Sequence, residues 1–151
     1  MTHADDLRAW AKGMYSLEAG TELLIRAFNG NFAAKGNPWI HTATTTPEGY
    51  LSGAWIDFES IPEHVGSGSY SGGERRLLLL AASFGAEAPV VLSDVLPGLD
   101  RANVELVLAA VSHAAGSHEH SGMTLDEDGT PKAFTHLTAL YPWPERKSAN
   151  A

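Results

Sequence analysis

Leu7, Trp10, Met14, Leu17, Thr21, Leu24 and Phe28 follow one another at spacings of 3, 4, 3, 4, 3 and 4. That recurrence tracks 3.6 residues per turn and predicts an amphipathic helix over residues 4–29. Arg8, Lys12, Glu18, Glu22 and Arg26 fall off the stripe, and Glu22 with Arg26 makes a favourable i,i+4 pair. Asp5 and Asp6 suit the positive N-terminal end, and Asn29-Gly30 is a stop signal. Gly13 and Gly20 each cost about 1 kcal/mol relative to alanine and mark where the helix would divide in two. If continuous, it extends about 39 Å. That is long for a chain of 151 residues, and the excess points to a homodimer formed through helix 4–29.

Residues 38–58 read as a β-hairpin. Thr46-Pro47-Glu48-Gly49 has the composition of a type I turn, and its flanks are rich in β-branched and aromatic residues. Pairing Thr46 with Tyr50 sets Ile40 opposite Ile56, and Thr42 opposite Ala54, on one side of the ladder. His41 then faces Trp55, and Trp39 faces Asp57, on the other. Ser71 and Glu74 stand in capping-box spacing before residues 75–84. Leu77 to Leu80 alone would also suit a buried strand, and the cap with Ala81-Ala82 favours a helix over 72–84. Val90 to Leu92 reads as a short strand. Asp100 caps a helix over 101–115 that carries Val104, Leu108, Val111 and Ala115 on one face. Asp126-Glu127-Asp128-Gly129 turns a second hairpin over 120–141, and the tail 144–151 reads as frayed. The expected fold is α+β and forms one domain over 1–151. In it the long N-terminal helix and two further helices pack on an antiparallel sheet built from the two hairpins.

Composition excludes several classes of function. Eighteen acidic against ten basic side chains give a formal charge of −8, unsuited to general phosphate-backbone binding. The absence of cysteine removes thiolate nucleophiles, disulfides and Cys-based zinc or iron–sulfur sites. No apolar run approaches the ~20 residues of a bilayer span. The expectation is a soluble, acidic, cytoplasmic protein without nucleic-acid or membrane partners.

Of seven histidines, His113, His118, His120 and His136 fall near one another. On a strand, His118 and His120 point to the same face. Pairing Asp126 with Thr130 sets His120 opposite His136. Three imidazoles converging in this way suit a divalent ion such as zinc, with a fourth position open to water, as in metal-dependent hydrolases. His113, at a helix C-terminus, is a further ligand or proton carrier. Trp39, His41, Trp55 and Asp57 form a second candidate, a ligand or partner surface with aromatic walls and an Asp–His pair.

The string Ser71-Gly72-Gly73-Glu74-Arg75-Arg76, followed by Val90 to Asp94 and then Leu99-Asp100, resembles the signature loop and acidic strand of ABC-type ATPases. The likeness covers about thirty residues. It lacks a Gly-x4-Gly-Lys-Ser/Thr loop, and Val95 stands where that family carries a catalytic carboxylate. The Gly/Ser loop 66–73 also offers backbone N–H groups to a nucleotide or phosphate. Asp126 to Gly129 lacks the further ligands of a calcium loop and reads as an acidic turn. No Gly-x-Ser-x-Gly elbow frames a serine. Sequence therefore leans away from an enzyme and towards a non-catalytic binding or interaction domain acting as a homodimer. A metal-dependent hydrolase or metal-binding protein, and then nucleotide binding, are the alternatives.

Overall fold

The computed structural model describes residues 2–43 and 53–145. The fold is α+β. Six helices are present among these residues: α1 (His3–Ala11), α2 (Tyr15–Arg26), α3 (Ile61–Ser67), α4 (Gly72–Ala86), α5 (Leu92–Val95) and α6 (Arg101–Ala114). Two antiparallel hairpins accompany them, β1 (Ile40–Ala43) with β2 (Gly53–Ile56), and β3 (Ser121–Leu125) with β4 (Pro131–His136). The hairpins form two separate two-stranded sheets rather than the one expected sheet.

The N-terminal stripe is divided. Thr2 and Asp5 form a reciprocal capping box that starts α1, and the chain leaves it at Gly13, whose φ of +106° suits glycine. α2 then restarts the same stripe at an angle. The expected helix 4–29 is therefore two shorter helices that pack on each other. Leu7, Leu23 and Leu24 are fully buried in this chain's own core, with Leu17 and Phe28 packed against it. The apolar face that had suggested a dimer is thus largely used internally. Glu22 staples the break by accepting from Arg8 Nε at 2.6 Å and from Arg26 Nε at 2.7 Å. Burial pushes the Glu22 carboxyl up, but these two guanidinium bonds outweigh it and hold the pKa below the usual range.

α2 packs on α4 through small residues. A Cβ on Gly20 would meet the Ala81 carbonyl oxygen at 2.9 Å, and one on Gly85 would meet the Phe58 ring at 2.3 Å. Gly85→Ala is expected to destabilise by about 1–3 kcal/mol through overpacking. Urea unfolding checks this, and an unchanged midpoint would contradict the close approach. The leucine run is helical, as the Ser71–Glu74 capping box favoured. Its Leu77, Leu78 and Leu80 are buried. Val90 to Leu92 forms no strand and leads into the short helix α5.

The β1–β2 register is the one expected, with Ile40 opposite Ile56, His41 opposite Trp55 and Thr42 opposite Ala54. The turn Thr46–Gly49 lies outside the described residues. Helix α6 begins at its expected Asp100 cap, which accepts from the Asn103 N–H at 2.8 Å. Its buried face is Leu106, Val107 and Ala110, whereas Val104, Leu108 and Val111 are exposed. The helix carries two apolar faces, and the core takes the one that the 4-3-4 spacing did not single out. No helix among the described residues is long and apolar enough to cross a membrane.

Candidate metal centre

Three ligand-type side chains from three elements converge where α2, the end of α6 and the turn after it meet. Glu18 comes from the first turn of α2, His113 from the last turn of α6, and His118 from the 3-10 turn Ser117–Glu119. One ligand atom from each lies within 4.8 Å of the others, and all three residues are half-buried. His113 Nε2 donates to Glu18 Oε1 at 2.7 Å. The second carboxylate oxygen accepts from the Gly13 N–H at 2.9 Å, so the break between α1 and α2 is what orients Glu18. The two imidazoles stack with centroids 4.1 Å apart and planes 9° from parallel. Tyr15 meets the His118 ring edge-on at 4.8 Å.

Local sequence explains this placement. Gly116, with φ of +76°, ends α6 and reverses the chain. A Cβ there would meet the Tyr15 ring at 3.2 Å, so glycine leaves room for that ring beside His118. Ser117 Oγ lies 2.6 Å from Ser112 Oγ, locking the turn onto α6. The same hydroxyls accept from the N–H groups of Leu140 and Tyr141. That pair anchors the C-terminal strap and brings Trp143 to 6.1 Å from His113. Arg26 holds the strap's far side, donating to the Pro144 carbonyl at 3.0 Å and lying over the Trp143 ring. Pro144, within the tail expected to fray, is therefore held against the fold. Residues 146–151 lie outside the described region.

Burial alone would push the Glu18 carboxyl up, but the Gly13 and His113 hydrogen bonds and the nearby His113 and His118 rings hold its pKa below the usual carboxylate range. A carboxylate with a depressed folded pKa stabilises the fold above its unfolded pKa, and that contribution is lost as pH falls through the folded value. Glu18→Gln is therefore expected to flatten the loss of stability below about pH 5 in the metal-free protein. Urea midpoints measured from pH 3 to pH 7 check this, and parallel curves for the two proteins would contradict it.

The histidine trio expected from sequence is not brought together. Asp126 does pair with Thr130 across the turn, its N–H reaching the Thr130 carbonyl at 2.8 Å. A bulge at Thr124/Leu125 then shifts the ladder by one, so Ser121 faces His136. His120 sits beyond the strand, with its carbonyl accepting from the Leu137 N–H. His120 and His136 are both exposed, and His118 lies on the 3-10 turn rather than on a strand. The second candidate also separates. Trp39 precedes β1, so strand alternation does not extend to it, and it is fully buried with Nε1 donating to the Phe32 carbonyl at 2.8 Å. His41 and Trp55 remain on the outer face, stacked at 5.6 Å. Asp57 donates its N–H to the Trp39 carbonyl.

Glu18 is the member of this cluster that sequence reasoning missed. Its i+4 neighbour is Glu22 and its i−4 neighbour is Met14, so it has no local cation. Local sequence therefore gives no sign of the partner it finds 95 residues away. The Gly/Ser loop 66–73 is partly helical, since α3 runs to Ser67 and α4 starts at Gly72. A cleft of about 360 Å³ beside it includes Gly72, Arg75, Arg76 and Asp94. No family model, curated protein or solved structure matches this chain.

Proposed function

We propose that the chain binds a single divalent transition-metal ion through Glu18, His113 and His118. The observation that supports this most is the convergence of one carboxylate and two imidazoles within 4.8 Å from three separate elements. Ligands at ~2.0–2.1 Å from a tetrahedral ion lie about 3.3 Å apart. To hold an ion, the 2.7 Å His113–Glu18 contact would open by about 0.6 Å, and one of the two stacked imidazoles would turn out of its parallel plane so that both lone pairs meet at the ion. The Nδ1 atom of His118 is buried without a hydrogen-bond partner, so bonding within the chain leaves that ring incompletely satisfied. Two imidazoles and one carboxylate favour zinc among abundant divalent ions, and disfavour magnesium or calcium, which prefer all-oxygen shells.

Three protein ligands leave a fourth position for water, the arrangement in which zinc lowers the pKa of that water to about 7. Here the Gly13 N–H bond to Glu18 supplies the outer support that fixes ligand orientation. Ligation needs deprotonated rings, so ion uptake releases protons and is weakened by acid. Elemental content of protein purified without an affinity tag tests the reading. Near-stoichiometric zinc, or uptake to one equivalent on incubation, is expected. Trace metal after incubation with zinc, manganese, iron, cobalt and nickel would overturn it.

A further inference from the structure

Among the described residues two apolar surfaces lack partners, and they match each other. The first is the β3–β4 hairpin, a two-stranded arm in which every residue but the half-buried Gly122 is exposed. Met123 and Phe134 pair across it and, with Leu125, are 51%, 76% and 55% exposed. An isolated two-stranded hairpin is marginal in water, and it needs a third strand or a packed surface to be stable. The second is the outer face of α6, where Val104, Leu108 and Val111 are 39%, 44% and 53% exposed. A helix apolar on both faces is one that is covered on both.

We propose that the occupant of each surface is a second copy of this chain, with the β3–β4 arm of one protomer lying across the outer face of its partner's α6. The dimensions agree. Strands of five and six residues extend about 17–20 Å, and Val104 to Ala115 spans about 16 Å of helix. Charge agrees as well. The arm's tip carries Asp126, Glu127 and Asp128, with Lys132 close behind. With the tip at the start of the partner's α6, the acids meet Arg101 and the positive helix end, whose Asp100 carboxylate is already engaged by the Asn103 N–H, and Lys132 meets Glu105. The arm leaves the fold at His120, directly after the 3-10 turn that Ser117 ties to α6, so its base is fixed at the end of the helix it would pair across. The area is sufficient. At about 150–200 Å² per large side chain, the six exposed parts give roughly 550 Å² of apolar surface per protomer. Doubled by two-fold symmetry and at an interface about 60% apolar, that becomes about 1,800 Å², within the size of a stable interface.

The wild-type chain, Phe134→Glu and Leu108→Glu are measured by light scattering at 10–100 µM, with circular dichroism as the control on folding. The expected result is a wild-type mass near twice 16.1 kDa, and monomers with unchanged helical signal for both variants. The chain has no cysteine, so Leu108→Cys and Phe134→Cys proteins, mixed and oxidised, should form a disulfide between unlike chains. This crosslink reports the contact even if a glutamate variant fails to fold. A wild-type monomer at 100 µM, as for a surface meant for another partner, would overturn the proposal. So would a folded dimer that survives Leu108→Glu, or crosslinking between like chains alone.

Discussion

His118→Ala and His113→Ala are each expected to weaken zinc binding by about 100-fold or more, while His120→Ala and His136→Ala leave it within about twofold. The contrast follows from placement. His113 and His118 stack beside Glu18, whereas His120 and His136 are exposed on the arm and its approach. Removing an outer-shell support already costs 10–100-fold in affinity, and removing a ligand costs more. Glu18→Gln should fall with the two damaging variants, because an amide oxygen carries no charge to the ion. Competition against a chromophoric chelator at pH 7.5 measures all five on one scale. Losses at His120 or His136 comparable to that at His118 would instead favour the trio expected from sequence.

Trp39→Ala is expected to destabilise the fold by about 3–5 kcal/mol, the range for truncating a buried aromatic. Trp39 is fully buried among Phe32, His64 and Tyr70. Its loss also leaves the Phe32 carbonyl without its indole partner, which adds about 1 kcal/mol. Trp55, opposite His41 on the outer face, is 39% exposed, and Trp55→Ala should cost about 1 kcal/mol or less. Urea unfolding followed by far-ultraviolet circular dichroism separates the two. Equal costs would place Trp39 on the surface and undo the account of β1.

Much of the secondary structure was legible because local signals agreed with one another. The Ser71–Glu74 box and the Asp100 cap each rest on residues within a few positions, the pairing of Ile40 with Ile56 rests on the alternation of two flanks joined by one short connection, and each is present. What failed was decided by tertiary context. The stripe from Leu7 to Phe28 continues in phase through Gly13, but the chain bends there and folds α1 back on α2. A 3-4 spacing is silent about such a bend. On α6, two apolar faces compete for the core, and periodicity alone does not rank them. The bulge at Thr124/Leu125 moved the second ladder by one residue, which was enough to separate His120 from His136. The site was half legible. His113 and His118 stood out by residue type, but their meeting with Glu18 depends on α2 lying beside the end of α6, a contact 95 residues apart in sequence.

The most direct test of the proposed metal centre is anomalous diffraction at the zinc edge from crystals grown with one equivalent of zinc. A single strong peak bounded by the Glu18 carboxylate and the His113 and His118 rings is the expected result. A map with no peak there, or with its strongest peak beside His120 and His136 on the arm, would contradict the account.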